Sequence, residues 1–441
     1  MQAIDLLVIP RWILPIEPVN TVLQGQALAV DGGKILALLP EAEALARYAP
    51  KQTLRLAEHA VMPGLVNAHS HAAMSLLRGV ADDLPLMDWL QNHIWPAEGA
   101  HVSRQFCLDG AALAAAELIR GGVTCVNDMY FFPDAAAEAF ASAGLRAVVN
   151  LITLDFPTAW AANADEYIHK GLEVRDAIRS THGAEGLITT IFGPHAPYTV
   201  SDAPLLKLRM LANELGMGIH MHVHETAGEV EMAVASSGKR PWQRLKELEL
   251  LGPDFVAVHM TQLSAPEIAE AAELGVHVVH CPESNLKLAS GFCPVAQLLK
   301  AGVNVAIGTD GAASNNDLDL FGELRTAALL AKGVAGDARA LPAHAALHMA
   351  TLAGAKALGL DERIGSLTAG KQADFIAVDL SAVNTQPIYN VASHIAYAVN
   401  SRQVCEVYVA GKPLLSKGLH TTLDTAQLSA KAREWQQKIR S

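Results

Sequence analysis

Two histidines separated by one residue, His69 and His71, end an apolar run that begins at Met62. On an extended strand, side chains two apart project to the same face, so both imidazoles can converge on one point. Two such nitrogens supply half of a four-coordinate site for zinc or a similar cation. Taken alone, a His-x-His pair fits a strand end with two surface histidines just as well. The remaining chemistry-bearing residues decide the matter. His195 stands in Gly193-Pro194-His195-Ala196-Pro197-Tyr198, and His220, His222 and His224 alternate just before Glu225. His259 closes the apolar run Phe255–His259, His280 precedes Pro282-Glu283-Ser284-Asn285, and Asp310 follows Ile307-Gly308-Thr309. Three histidines and one aspartate form a reasonable ligand set for one divalent cation. His69, His71 and Asp310 are the direct choices. Within 220–224 the spacing does not choose, because all three histidines share a face. His224 lies nearest the end of the run, and His220 is expected to face a packed interior.

Each of these groups stands where an apolar run stops. The candidate strands are Val61–Ala68, Val123–Met129, Arg146–Ile152, Leu187–Phe192, Gly218–Val223, Phe255–His259, His277–His280 and Val303–Gly308. Between them lie Ala-, Leu- and Glu-rich stretches such as Cys107–Arg120, Asp202–Leu215 and Pro266–Leu274. Nearly all-apolar strands alternating with helices specify an α/β protein with a parallel sheet covered by helices. Eight such units fit a (β/α)8 TIM-type barrel, whose chemistry sits at the C-terminal ends of the strands. Six of the eight expected strand ends carry His or Asp. A doubly wound open sheet is the competing arrangement, but it calls for a Gly-rich phosphate loop, and no G-x-G-x-x-G occurs. Residues 1–60 and 366–425 have a different texture, with short strands punctuated by turns such as Asp31-Gly32-Gly33-Lys34. They are read as one small β-sandwich domain built from both chain ends, flanking a catalytic barrel at 61–365.

Composition narrows the function. Of the 441 residues, 51% are hydrophobic and 18% charged, which describes a well-buried globular chain. The net charge of −12 comes without a basic cluster, so nucleic acid is not an expected partner. No apolar run reaches the roughly 18 residues of a membrane span. The N-terminal residues Met1-Gln2-Ala3-Ile4-Asp5 lack the basic start of a secretion signal. The five cysteines (107, 125, 281, 293 and 405) are scattered without a CxxC, and the cytoplasm is the expected compartment.

PGLVNAHSH at 63–71, the H-x-x-E of His222–Glu225, His259 and GTDGAASNNDLDLF at 308–321 resemble the amidohydrolase superfamily. MDWLQNHIWPAE at 87–98, GPHAPY at 193–198, SNLKL at 284–288 and TDGAASNN at 309–316 resemble more closely its deaminases of 5′-methylthioadenosine and S-adenosylhomocysteine. The resemblance covers nearly the whole chain. It implies that His69, His71, His222 and Asp310 hold one divalent metal per chain, Zn2+ in the simplest case and Fe2+ as the alternative. It selects His222 from the three histidines of its strand. Glu225 then matches a proton-shuttling glutamate, His259 the histidine that orients the nucleophilic water, Glu98 the acid that holds the ribose hydroxyls, and His195 a substrate contact. Glu225 and Asp310 are expected to touch the substrate as well.

The implied reaction is hydrolytic deamination at C6 of a 5′-modified adenosine, giving an inosine-type product and ammonia. A purine nucleoside is the implied small-molecule partner, with a homodimer or higher homo-oligomer as the class expectation. Relatives that bridge two metals do so with a carboxylated lysine after the fourth strand, and Ile188–His195 contains no Lys. The H-x-E and P-C-x-x-C elements of cytidine-type zinc deaminases are absent too. One departure concerns the 5′ tail. Relatives that accept S-adenosylhomocysteine can hold its amino-acid tail with arginines after the third strand, and none occurs here before Arg175. Apolar Leu151, Phe156 and Trp160 suit a methylthio group instead, and Trp95 is a candidate to face the purine. Two alternatives compete: a related hydrolase of guanine or another amino- or chloro-heterocycle, and a catalytically silent assembly protein on the same fold.

Overall fold

The computed structural model describes residues 1–183 and 185–440. Eight parallel strands follow one another in space as they do in the chain: Leu65–Ser70, Val123–Asp128, Arg146–Thr153, Ile188–Pro194, Ile219–Val223, Phe255–His259, His277–His280 and Val305–Ile307. They form the expected α/β barrel, with helices covering the outside. The inner faces of Val66, Cys125, Val148, Val256, Val258 and Val279 pack together, and Ala355, Leu360 and Ile364 join that cluster. Between the last and first strands the ring is completed by specific bonds. The Asp310 N–H donates to the His69 carbonyl at 3.1 Å. The Asn67 amide donates to Thr309 Oγ1 at 2.8 Å and its oxygen accepts the Thr309 N–H at 3.0 Å. A side chain at Gly308 would place its Cβ 2.8 Å from the His69 backbone. Closing the barrel therefore sets Asp310 against His69, and only glycine allows that approach.

Both chain ends build a second, nine-stranded mixed sheet. Its central strand, Tyr48–Pro63, pairs in parallel with Gln2–Ile13 and antiparallel with Phe375–Asp379. This corrects the expected first barrel strand. Val61 lies opposite Ala377 and Pro63 opposite Phe375, so the outer sheet continues past residue 60 and the barrel begins at Leu65. The apolar run is continuous because both sheets are buried there, and hydrophobicity alone does not mark the change. Gly64 does: a Cβ there would fall 2.0 Å from Thr124 Oγ1. The two sheets are tied together by the buried pair Arg146–Asp374, at 2.8 and 3.2 Å. Helix Val391–Tyr397 packs against barrel helices Leu320–Ala335 and Ala343–Met349, and helix Thr425–Arg440 against Arg104–Arg120. No described helix is long and apolar enough to cross a membrane.

Candidate active site

The strand-end histidines are each fixed through one ring nitrogen. His69 Nδ1 meets His220 Nε2 at 2.9 Å, His71 Nδ1 donates to the Met129 carbonyl at 2.5 Å, and His222 Nδ1 donates to the His195 carbonyl at 2.7 Å. Their Nε2 atoms then face one another. That of His222 lies 3.2 Å from His69 Nε2 and 3.3 Å from His71 Nε2. Asp310 Oδ1 is 3.5 Å from His69 Nε2 and 3.2 Å from His71 Nε2. Ligands about 2.05 Å from a tetrahedral zinc stand about 3.3 Å apart. The observed separations match that edge, so the donor set fits a divalent cation of zinc's size.

The electrostatics point the same way. Burial brings His69 down to about 4 and holds His222 well below the ordinary imidazole value. Burial also opposes charge on His71, yet the hydrogen bond and charge of Asp310 hold it up at about 9. Burial likewise opposes charge on Asp310, but the hydrogen bonds of His69 and His71 keep its carboxyl well below the usual range. The Asp310 carboxylate among buried imidazoles thus calls for a positive charge, which a divalent cation would supply in place of the His71 proton. Asp310 is oriented further by Ser284 Oγ, which donates to Oδ2 at 2.6 Å, and by the Gly311 N–H, which donates to Oδ1 at 2.8 Å.

Of the three alternating histidines at 220, 222 and 224, the structure brings only His222 into this cluster. His220 stands behind His69, and His224 Nε2 accepts the Trp242 N–H at 3.2 Å. His259 borders the cluster, its ligand atom within 4.8 Å of those of His69 and Asp310. Its Nδ1 donates to Asn285 Oδ1 at 2.9 Å, which leaves the Nε2 lone pair facing the site, 3.8 Å from Glu225 Oε2. Burial raises Glu225 to about 8, reinforced by the Asp310 charge and opposed by His71. Burial thus favours the protonated form of this carboxyl, the form that can give a proton away. His195, held by Thr199 Oγ1 at 3.0 Å, lies beside His222.

These groups form one end of a cavity of about 370 Å3, a size suited to a nucleoside. The rest is lined by Trp89, Ile94, Trp95, Leu154, Phe156 and Leu288 among other apolar side chains. Glu98 enters from helix Trp95–His101, and burial raises it to about 7 against the pull of its bond from Tyr130 Oη, 2.6 Å long. Among the described residues no Lys or Arg lines the cavity.

Two of the residues suggested for the tail lie elsewhere. Leu151 points outward, where a Cβ at Gly171 would touch it at 3.1 Å, and Trp160 packs on Phe132 with ring centres 5.1 Å apart. Strand alternation gives the inward places to Ile152 and Leu154 instead. Tyr130 and the orienting contacts of Ser284 and Asn285 did not emerge from residue type. Position offered a signal, since all three follow the ends of barrel strands, where such folds place chemistry.

The sequence profile of the amidohydrolase family matches residues 60–414. The chain is 51% identical over 437 residues to the 5-methylthioadenosine/S-adenosylhomocysteine deaminase of Saccharophagus degradans, spanning 99% of this chain and 97% of that one. It is 42% identical over 381 residues to the 5′-deoxyadenosine deaminase of Methanopyrus kandleri, spanning 86% and 87% respectively. Among solved structures, a zinc-bound adenosine deaminase from Xanthomonas campestris is similar with a TM-score of 0.98 and 54% identity, covering 100% of this chain and 99% of that chain. Sequence, fold and the geometry of the buried histidine–aspartate cluster agree: the chain belongs to the amidohydrolase family, within its group of 5-methylthioadenosine/S-adenosylhomocysteine deaminases, and is a metal-dependent hydrolase.

Proposed function

We propose that the protein hydrolytically deaminates 5′-modified adenosines at C6, with 5′-methylthioadenosine its preferred substrate, using one metal per chain. The observation that carries this reading is a single cavity. It joins the His71, His222 and Asp310 cluster and the buried Glu225 carboxyl at one end to Glu98 and a largely apolar wall at the other. His69, His71, His222 and Asp310 hold the metal, zinc in the simplest case and iron(II) as the alternative. When bound, that cation makes a water molecule acidic enough to be deprotonated near neutral pH.

The side chains do the rest. His259 Nε2 and Asp310 take the proton of the attacking water and aim its oxygen at C6. Glu225 gives its proton to purine N1, which draws electrons from C6 and makes it open to attack. The carboxylate left behind takes the proton of the new C6 hydroxyl and relays it to the exocyclic amine, which departs as ammonia and leaves a carbonyl at C6, while the first water proton returns to Glu225. His195 contacts the purine. Glu98 has one oxygen engaged by Tyr130, and its other oxygen accepts from the ribose hydroxyls.

The preference for a methylthio group follows from charge. A homocysteine tail brings a carboxylate that the cavity meets with no Lys or Arg among the described residues, and burying it unpaired is costly. A thioether methyl suits Phe156, Leu154 and Trp95. Glu98 separates nucleosides from free bases. Glu98→Gln is expected to lower kcat/KM for methylthioadenosine about 10–100-fold, the value of a charge-assisted hydrogen bond, and to leave free adenine within about twofold. Equal losses for both substrates would remove the ribose assignment.

A further inference from the structure

We propose that Glu229 is a positioning residue for the reaction: it aims the Glu225 carboxyl by gripping the backbone that displays it. The proposal rests on the proton-transfer role given to Glu225 above. After the strand Ile219–Val223 the chain leaves through His224 with φ of +53°, a left-handed conformation that a residue with a Cβ holds only when its surroundings impose it. Glu229, in the first turn of helix Ala227–Ser237, imposes it from one side. Its buried carboxylate spans the turn, with Oε1 accepting the His224 N–H at 3.1 Å and Oε2 the Glu225 N–H at 2.6 Å. Thr261 holds the other side. Its hydroxyl donates to the Glu225 carbonyl at 2.7 Å and its N–H to the His224 carbonyl at 3.0 Å. All four peptide groups of the two-residue turn are therefore held by residues outside it.

Ordinary helix capping does not account for this. Thr226 already caps the helix, accepting the Glu229 N–H at 3.1 Å, and in a capping box the acid three residues on reaches back to the N–H of the cap itself. Glu229 instead reaches past Thr226 to the two residues before it, one of which carries the Glu225 side chain. A displacement of about 1 Å at a reacting group can cost about 100-fold in rate. A two-point clamp on that residue's own peptide is a direct means of preventing it.

The test is a double-mutant cycle on metal-loaded, full-length protein with methylthioadenosine. Glu229→Gln keeps the shape of the side chain but loses one acceptor. It is expected to lower kcat about 30–100-fold, with KM within about threefold and metal content unchanged. In a Glu225→Gln background, adding Glu229→Gln should change the residual kcat by less than about threefold, because no proton donor remains to be aimed. A purely structural role would give the same fractional loss in both backgrounds, and that result overturns the proposal, as does a single variant with kcat within threefold of wild type. If Glu229→Gln does not fold, Thr261→Val releases the Glu225 carbonyl from the other side, with an expected loss of about tenfold and the same lack of additivity. Thr261→Ser should restore the rate. High activity in Glu225→Gln alone would refute the Glu225 role itself, an outcome distinct from an inert Glu229→Gln beside an inactive Glu225→Gln.

Discussion

Glu225→Gln should lower kcat for methylthioadenosine by about 10³-fold while the protein keeps its metal, within the range that a positioned acid–base group contributes. Glutamine has the same shape and can still hydrogen-bond to purine N1, but it has no proton to release. The effect is therefore expected in kcat, with KM little changed. The pH dependence has a definite sign. Burial raises Glu225 to about 8, helped by the Asp310 charge and opposed by His71. The proton is present below that value and lost above it. Activity that depends on the protonated form falls as pH rises through the Glu225 value, which a bound cation moves down from about 8. This alkaline limb should vanish from the residual activity of Glu225→Gln. Wild-type turnover in that variant would remove Glu225 from the proton path.

His71→Ala is expected to do more, emptying the metal site and lowering kcat/KM by at least about 10⁴-fold, because the nucleophile near neutral pH depends on a bound cation. His71 would be one of the four proposed ligands: its Nε2 lies 3.3 Å from His222 Nε2 and 3.2 Å from Asp310 Oδ1, and the Met129 carbonyl fixes its ring. Alanine provides no ligand atom and leaves that carbonyl without its donor. Elemental analysis should find well under one metal per chain. Added zinc should restore metal-stripped wild type but not the variant. A His71→Ala protein with full metal content would show that His71 is not a ligand.

The two variants together separate metal loss from proton transfer. They also bear on how much of the site is legible without a structure. His69, His71, His259 and Asp310 stand out because apolar barrel strands end in them, and a barrel gathers strand ends at one rim. The choice of His222 over His220 and His224 is not legible in this way, since a period of two puts all three on one face. The fold separates them: His220 is one layer deeper, against His69, and the left-handed turn at His224 breaks the alternation before that ring can reach the cluster.

The outer sheet hides its boundary for a related reason. Met62 and Leu65 are both fully buried, but in different sheets, so one hydrophobic run crosses from one to the other. Leu151 shows how small an error matters in a strand, since placing it inward rather than outward is a shift of one residue. Tyr130 and Glu229 are harder still. One is an aromatic residue 32 positions from Glu98, brought to it only when the helix Trp95–His101 folds over the barrel. The other has the sequence pattern of a common helix start, and its reach to His224 and Glu225 exists only in three dimensions.

Deamination of 5′-modified adenosines is tested most directly by ammonia release from methylthioadenosine, S-adenosylhomocysteine, adenosine, adenine and guanine, with metal content measured on the same protein. About one divalent metal per chain is expected, with the highest kcat/KM for methylthioadenosine. S-adenosylhomocysteine should be at least about tenfold poorer, because its carboxylate meets no Lys or Arg among the described residues that line the cavity, and free bases poorer than nucleosides. Ammonia from guanine alone, or from none of the nucleosides while the metal is bound, would contradict that activity.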